Sequence, residues 1–133
     1  MILLDTHTLI WMDRDDGLLG TQSRAAIARA WGADGVAVSA ISFWEATMLA
    51  RRGRISLPTA PAAWRMEILN AGVRELPLDG RIAVAATELE NPPRDPADRF
   101  IVASAQLHQA TLITADETLL AWPDNLRCHD ARH

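Results

Sequence analysis

The sequence predicts an α/β fold: a mainly parallel sheet of four to five strands with helices on both faces. Three observations predict it. Short apolar runs at Ile2–Leu4, 35–40 and Thr111–Thr114, the last two rich in β-branched residues, have the character of strands buried on both faces. Longer segments between them place apolar residues at helical spacing. Acids stand just past these runs: Asp5 after the first, Glu45 a helical turn beyond the second, Asp116 after the last. In open parallel sheets that edge is where ligands bind.

Taken in order, Ile2, Leu3 and Leu4 form a central strand that Asp5 ends, and Thr6, His7 and Thr8 follow. Residues 9–12 read as a helical turn and 14–17 as a charged loop. Residues 20–31 carry Ala25, Ile27, Ala28 and Trp31 at helical intervals. The second strand spans 35–40. Ser42 then opens a helix to about Arg52, where Gly53 ends it. Residues 58–61 break the chain, 62–70 form a helix and Gly72 closes it. Residues 73–78 alternate as a third strand. Asp79 caps a helix reaching about Leu89, and 91–94 are loop. Asp95 followed by Pro96 marks a helix start, since Asp caps and Pro fits the first position. Phe100, Ile101, Ser104 and Leu107 continue that helix before the fourth strand, Thr111–Thr114. Residues 116–122 read as a short helix and 126–129 as an edge strand.

Composition narrows the chemistry. The 133 residues suffice for one domain with one core, expected to span 1–133, and are too few for two. Hydrophobic content of 49% is that of a globular chain. No apolar run approaches the roughly 18 residues of a membrane span, and MILLDTH lacks the basic start of a signal peptide. Cys128 is the single cysteine, which excludes a disulfide framework and a cysteine zinc site. The expectation is a cytoplasmic, non-membrane protein. All 13 basic residues are arginine. Without lysine there is no P-loop, no Schiff base and no receiver domain of the response-regulator kind. The net charge of −4 opposes nucleic-acid binding unless a local basic patch offsets it.

In a parallel sheet Asp5, Glu45, Asp98 and Asp116 all project from one edge. Clustered carboxylates repel unless they share a cation, and oxygen-only ligands suit Mg²⁺ or Mn²⁺. Singly, each acid reads more readily as a cap: Ser42-x-x-Glu45 is a capping-box pattern and Asp95-x-x-Asp98 a near relative. Together they go beyond capping, which does not require an acid after three strands and in the first turn of the helix between two of them.

The segments ILLDTHTLIW, VSAISFWE, DPADRFIVASA and LITAD, in this order and spacing, resemble the PIN-domain family, and within it the VapC-type ribonuclease toxins of bacterial toxin–antitoxin pairs. The likeness runs over essentially the whole chain. It implies a PIN-like parallel sheet, Mg²⁺ with Mn²⁺ as an alternative, endoribonuclease activity, a homodimer and a cognate antitoxin. The family's acids map onto Asp5, Glu45, Asp98 and Asp116, with Thr6 and Thr114 in support. Asp95 ranks as a cap. An ion held by Asp5 and Asp98 would acidify a water for in-line hydrolysis of an RNA phosphodiester. Glu45 and Asp116 could complete that site, hold a second ion or position the water.

RNA needs positive charge. Arg51, Arg52, Arg54 and Arg65 lie in a stretch free of acids, although a solvated helix end would look the same. His7, two residues from Asp5, could touch substrate or metal, and equally could have no role. Arg99 reads as a structural partner for a carboxylate. Trp11, Trp44 and Trp64 are candidates for core or interface packing. Two other classes compete. A phosphatase of the haloacid dehalogenase type wants Asp where His7 stands. A non-catalytic PIN-like scaffold would bind RNA or protein without needing all four acids.

Overall fold

The computed structural model describes residues 1–33, 35–122 and 125–133. Five strands, β1 (Ile2–Leu4), β2 (Val36–Ser39), β3 (Arg74–Leu76), β4 (Thr111–Thr114) and β5 (Arg127–Asp130), form one sheet in the order β3-β2-β1-β4-β5. All four pairings are parallel. The chain moves outward from β1 to β2 and β3, then returns to the other side of β1 at β4. That reversal is a topological switch point, and it opens a crevice at the carboxyl ends of β1 and β4.

Strand alternation fills both faces. Leu4, Val36, Val38 and Ile113 pack with Leu9, Ile27, Trp64 and Ile68, which come from α1 (Thr6–Asp13), α2 (Thr21–Trp31) and α4 (Pro61–Asn70). Leu3, Ala37 and Leu112 pack on the opposite face with Ile101, Val102 and Ala105 of α6 (Pro96–Leu107) and Leu119 of α7 (Glu117–Leu120). α5 (Gly80–Thr87) sits outside α6 through Ile82, Ala86 and Ala103. The helix that follows β2, α3 (Ala40–Arg51), bridges the two layers, with Ala46 in the first cluster and Ile41 against the second.

The element order is the one the sequence predicts, with differences at boundaries. α1 begins at Thr6, three residues before the expected turn, because Asp5 caps it through the Thr8 N–H at 2.9 Å. α3 begins at Ala40 and is capped by the Ser39 hydroxyl, which accepts from the Ile41 N–H. Ser42 and Glu45 therefore lie inside the helix, and the capping box expected of them does not form. The cause is local: β2 runs directly into the helix, so its last residue, Ser39, is still extended and serves as the cap. β3 is shorter than expected, and α5 ends at Thr87. Gly72, at φ +114°, turns the chain after α4 as a glycine can. α2 has no side-chain cap; the N–H groups of Gln22 and Ser23 instead bond the carbonyl of His133.

Candidate active site

The switch-point crevice is a cavity of about 270 Å³ lined by Asp5, Thr6, His7, Trp11, Glu45, Asp95, Asp98, Ala115 and Asp116. All four acids expected from the sequence meet here. β1 delivers Asp5, β4 delivers Asp116, the second turn of α3 delivers Glu45 and the first turn of α6 delivers Asp98. Asp95 joins them. Spaced i to i+3 at the start of α6, Asp95 and Asp98 share a helix face. Ligand oxygens of Glu45, Asp95 and Asp98 all lie within 4.8 Å of one another.

Several of the acids that line the crevice also cap helices. Asp5 caps α1, Asp95 caps α6 by accepting from the Ala97 N–H at 3.0 Å, and Asp116 caps α7 by accepting from the Thr118 N–H at 2.8 Å. Helix N-termini converge at this edge, and their N–H groups favour the negative charge gathered there. Two threonines hold the cluster from behind. The Thr114 hydroxyl donates to the second oxygen of Asp5 and accepts the Asp116 N–H at 3.0 Å, so it ties the acids of β1 and β4 together. The Thr6 hydroxyl donates to Glu45 Oε1 at 2.5 Å and lies 3.0 Å from the Ser42 hydroxyl. Thr6, Thr114 and Ser42 are all buried.

Electrostatics are uncompensated. Among the described residues, no arginine pairs with Asp5, Glu45, Asp95, Asp98 or Asp116, and none lines the cavity. Burial, opposed by the Thr6 hydrogen bond and reinforced by Asp95 and Asp5, pushes Glu45 up to about 7. Burial followed by the charges of Asp95, Glu45, Asp116 and Asp5 pushes Asp98 up to about 7. Carboxylates gathered this closely fit a hard divalent ion, and an all-oxygen donor set suits Mg²⁺ or Mn²⁺.

Other candidates fall outside the cluster. His7 is exposed at the cavity wall. Arg51, Arg52 and Arg54 are exposed and make no ion pair among the described residues. Arg51 is the last residue of α3, about 9 Å further down the axis than Glu45; Arg52 caps the helix end, Arg54 follows it, and none of the three lines the cavity. Arg65 is not free for RNA, because it pairs bidentately with Glu75 at 2.7 and 2.9 Å. Arg99 donates to the Pro93 carbonyl at 2.7 Å, so its structural partner is backbone and not a carboxylate. Trp64 is buried, with its indole N–H on Asp13 at 2.8 Å, and cannot anchor a partner. Trp44 is 59% exposed and can.

The sequence pattern of the PIN domain family matches residues 2–123. Over 119 residues the chain is 35% identical to "Ribonuclease VapC22" of Mycobacterium tuberculosis, covering 89% of this chain and 88% of that one. VapBC2 from Rickettsia felis, solved bound to a DNA fragment from its promoter, superposes with a TM-score of 0.69 at 15% identity, covering 97% of this chain and 98% of that one. FitAcB from Neisseria gonorrhoeae superposes with a TM-score of 0.64 at 23% identity, covering 100% and 99%. These two superpositions show the fold.

Proposed function

The chain belongs to the PIN-domain family, and from that premise we propose that it is a metal-dependent endoribonuclease acting as the toxin of a VapBC-type pair. The observation that carries this reading is the convergence, at one sheet edge, of acids from β1, α3, α6 and β4, with no arginine paired to them among the described residues. The name of its relative, a ribonuclease, supports the reaction class. The antitoxin partner rests on likeness of fold to a Klebsiella pneumoniae protein solved as a toxin–antitoxin complex. The family resemblance supports a homodimer as the working unit, with one PIN domain per chain.

Asp5, Glu45, Asp98 and Asp116 are the residues that would hold Mg²⁺ or Mn²⁺. The chemistry such an ion supplies is acidification of a water and neutralisation of phosphodiester charge. The chain's own groups do the rest. Thr114 fixes Asp5, and Thr6 fixes Glu45, so these carboxylates hold their positions without reorganising as substrate arrives. Glu45, held by Thr6 at the crevice, is placed to orient the attacking water. Water attacks phosphorus in line, one P–O bond of the RNA breaks, and no protein nucleophile is needed. Arg51, Arg52 and Arg54 would contact RNA phosphates away from the cut, and His7 stands where flanking substrate would pass.

The test is cleavage of a mixed RNA substrate with Mg²⁺ or Mn²⁺, repeated in EDTA and with Asp98→Asn. Cleavage lost in both supports the proposal. Metal-independent cleavage, or cleavage undiminished in Asp98→Asn, overturns it. Tight RNA binding without cleavage leaves the non-catalytic scaffold.

A further inference from the structure

As a helix cap, Asp95 needs no negative charge. Asn and Ser cap about as well, and the bond it makes, from the Ala97 N–H to Oδ1, is open to either. The charge instead costs something. Asp95 stands beside Glu45 and Asp98, two groups of like charge, and repels both. Its carboxylate converges with theirs within 4.8 Å. Asp5 differs: both of its oxygens already accept from the protein, Oδ1 from the Thr8 N–H and Oδ2 from the Thr114 hydroxyl. The cap bond uses Oδ1 of Asp95, and its carboxylate also stands within hydrogen-bonding reach of Glu45.

We propose that Asp95 is a fifth carboxylate ligand, which caps α6 with one oxygen and, with the other, joins Glu45 and Asp98 in holding the divalent ion. This rests on the metal-dependent reading above. It accounts for an acid where the cap alone would accept a neutral residue: repulsion tolerated in the ion-free protein becomes attraction when the ion binds.

The experiment is Mn²⁺ titration by calorimetry on the full chain and on its Asp95→Asn, Asp95→Ser and Asp98→Asn variants, with melting temperatures in EDTA. Both Asp95 variants keep a capping side chain. Their Mn²⁺ affinity should fall about tenfold or more, the least that disturbing a metal site costs, while their ion-free melting temperatures do not fall. Mn²⁺ affinity unchanged in both, with binding lost in Asp98→Asn, removes Asp95 from the ligands and leaves the metal site standing. A fall in affinity matched by a fall in ion-free melting temperature in both variants makes Asp95 structural and overturns the proposal. No Mn²⁺ binding by the unmodified chain overturns the metal-dependent reading together with this one.

Discussion

Glu45 and Asp98 give the molecule a pH dependence whose sign follows from their environment. Unfolded, they titrate near 4.5 and 3.8; folded, both titrate at about 7. The fold binds these protons more tightly than the unfolded chain does. Their contribution to stability is therefore fully present below pH about 4 and is lost as pH rises through about 7. In EDTA the melting temperature should decline between pH about 5 and 8, and millimolar Mn²⁺ should reduce that decline by stabilising the ionised cluster. Thermal scans across this range check it; a melting temperature rising steadily with pH in EDTA would contradict it. By the same logic Asp98→Asn should lower cleavage about 100-fold or more. It should not lower the ion-free melting temperature, because it removes one of the repelling charges.

At the scale of the element, each helix start is set by something different. α3 depends on the Ser39 hydroxyl, so Ser39→Ala should cost about 1 kcal/mol, seen as a lower urea midpoint with an unchanged slope. α2 depends on a distant segment. Its first free N–H groups bond the carbonyl of His133, and Gly20 donates to Ala131 at 2.8 Å. A Cβ on Gly20 would stand 2.1 Å from the His133 carbonyl oxygen. Gly20→Ala must therefore displace residues 131–133 and should cost about 1–3 kcal/mol, the usual range for overpacking. A Gly20→Ala variant as stable as the parent would show that this segment is not held where the structure places it.

Across the whole molecule, charge is segregated. The net charge is −4, yet the acids concentrated in the cleft leave Arg51, Arg52 and Arg54 as an exposed run at the far end of α3. Replacing all three with Ala should weaken RNA binding evenly across sequences and flatten its dependence on salt, measured by anisotropy at several ionic strengths. An unchanged salt slope would move the RNA path elsewhere. The same cleft should attract an inhibitor. Expression of the chain should arrest bacterial growth, and co-expression with the adjacent gene should restore it. The restoring protein is expected to place an Arg or Lys among the carboxylates and an apolar helix against the exposed Trp44. Growth unaffected by either the chain or its Asp98→Asn form would remove the toxin reading.

By itself the sequence determined the alternation of strands and helices, the caps at Asp79 and Asp95, and the family of acids at strand ends. These are local or periodic signals, written in neighbouring residues. It also brought Asp5, Glu45, Asp98 and Asp116 to one edge, because a parallel sheet leaves no other place for residues that follow its strands. Tertiary structure alone decided what those acids touch. Nothing near Thr6 in sequence announces Glu45 as its partner, and nothing near Thr114 announces Asp5; these bonds span 39 and 109 residues. Ser42 and Glu45 matched a cap pattern, but the strand before them ends at Ser39 and the helix starts at once, so Ser39 takes the role. Asp95 was legible as a cap and not as a member of the cluster, although its i to i+3 spacing from Asp98 was the available signal. Convergence in space depends on how α3 and α6 pack over the sheet, and packing is set by contacts between residues that the sequence keeps far apart.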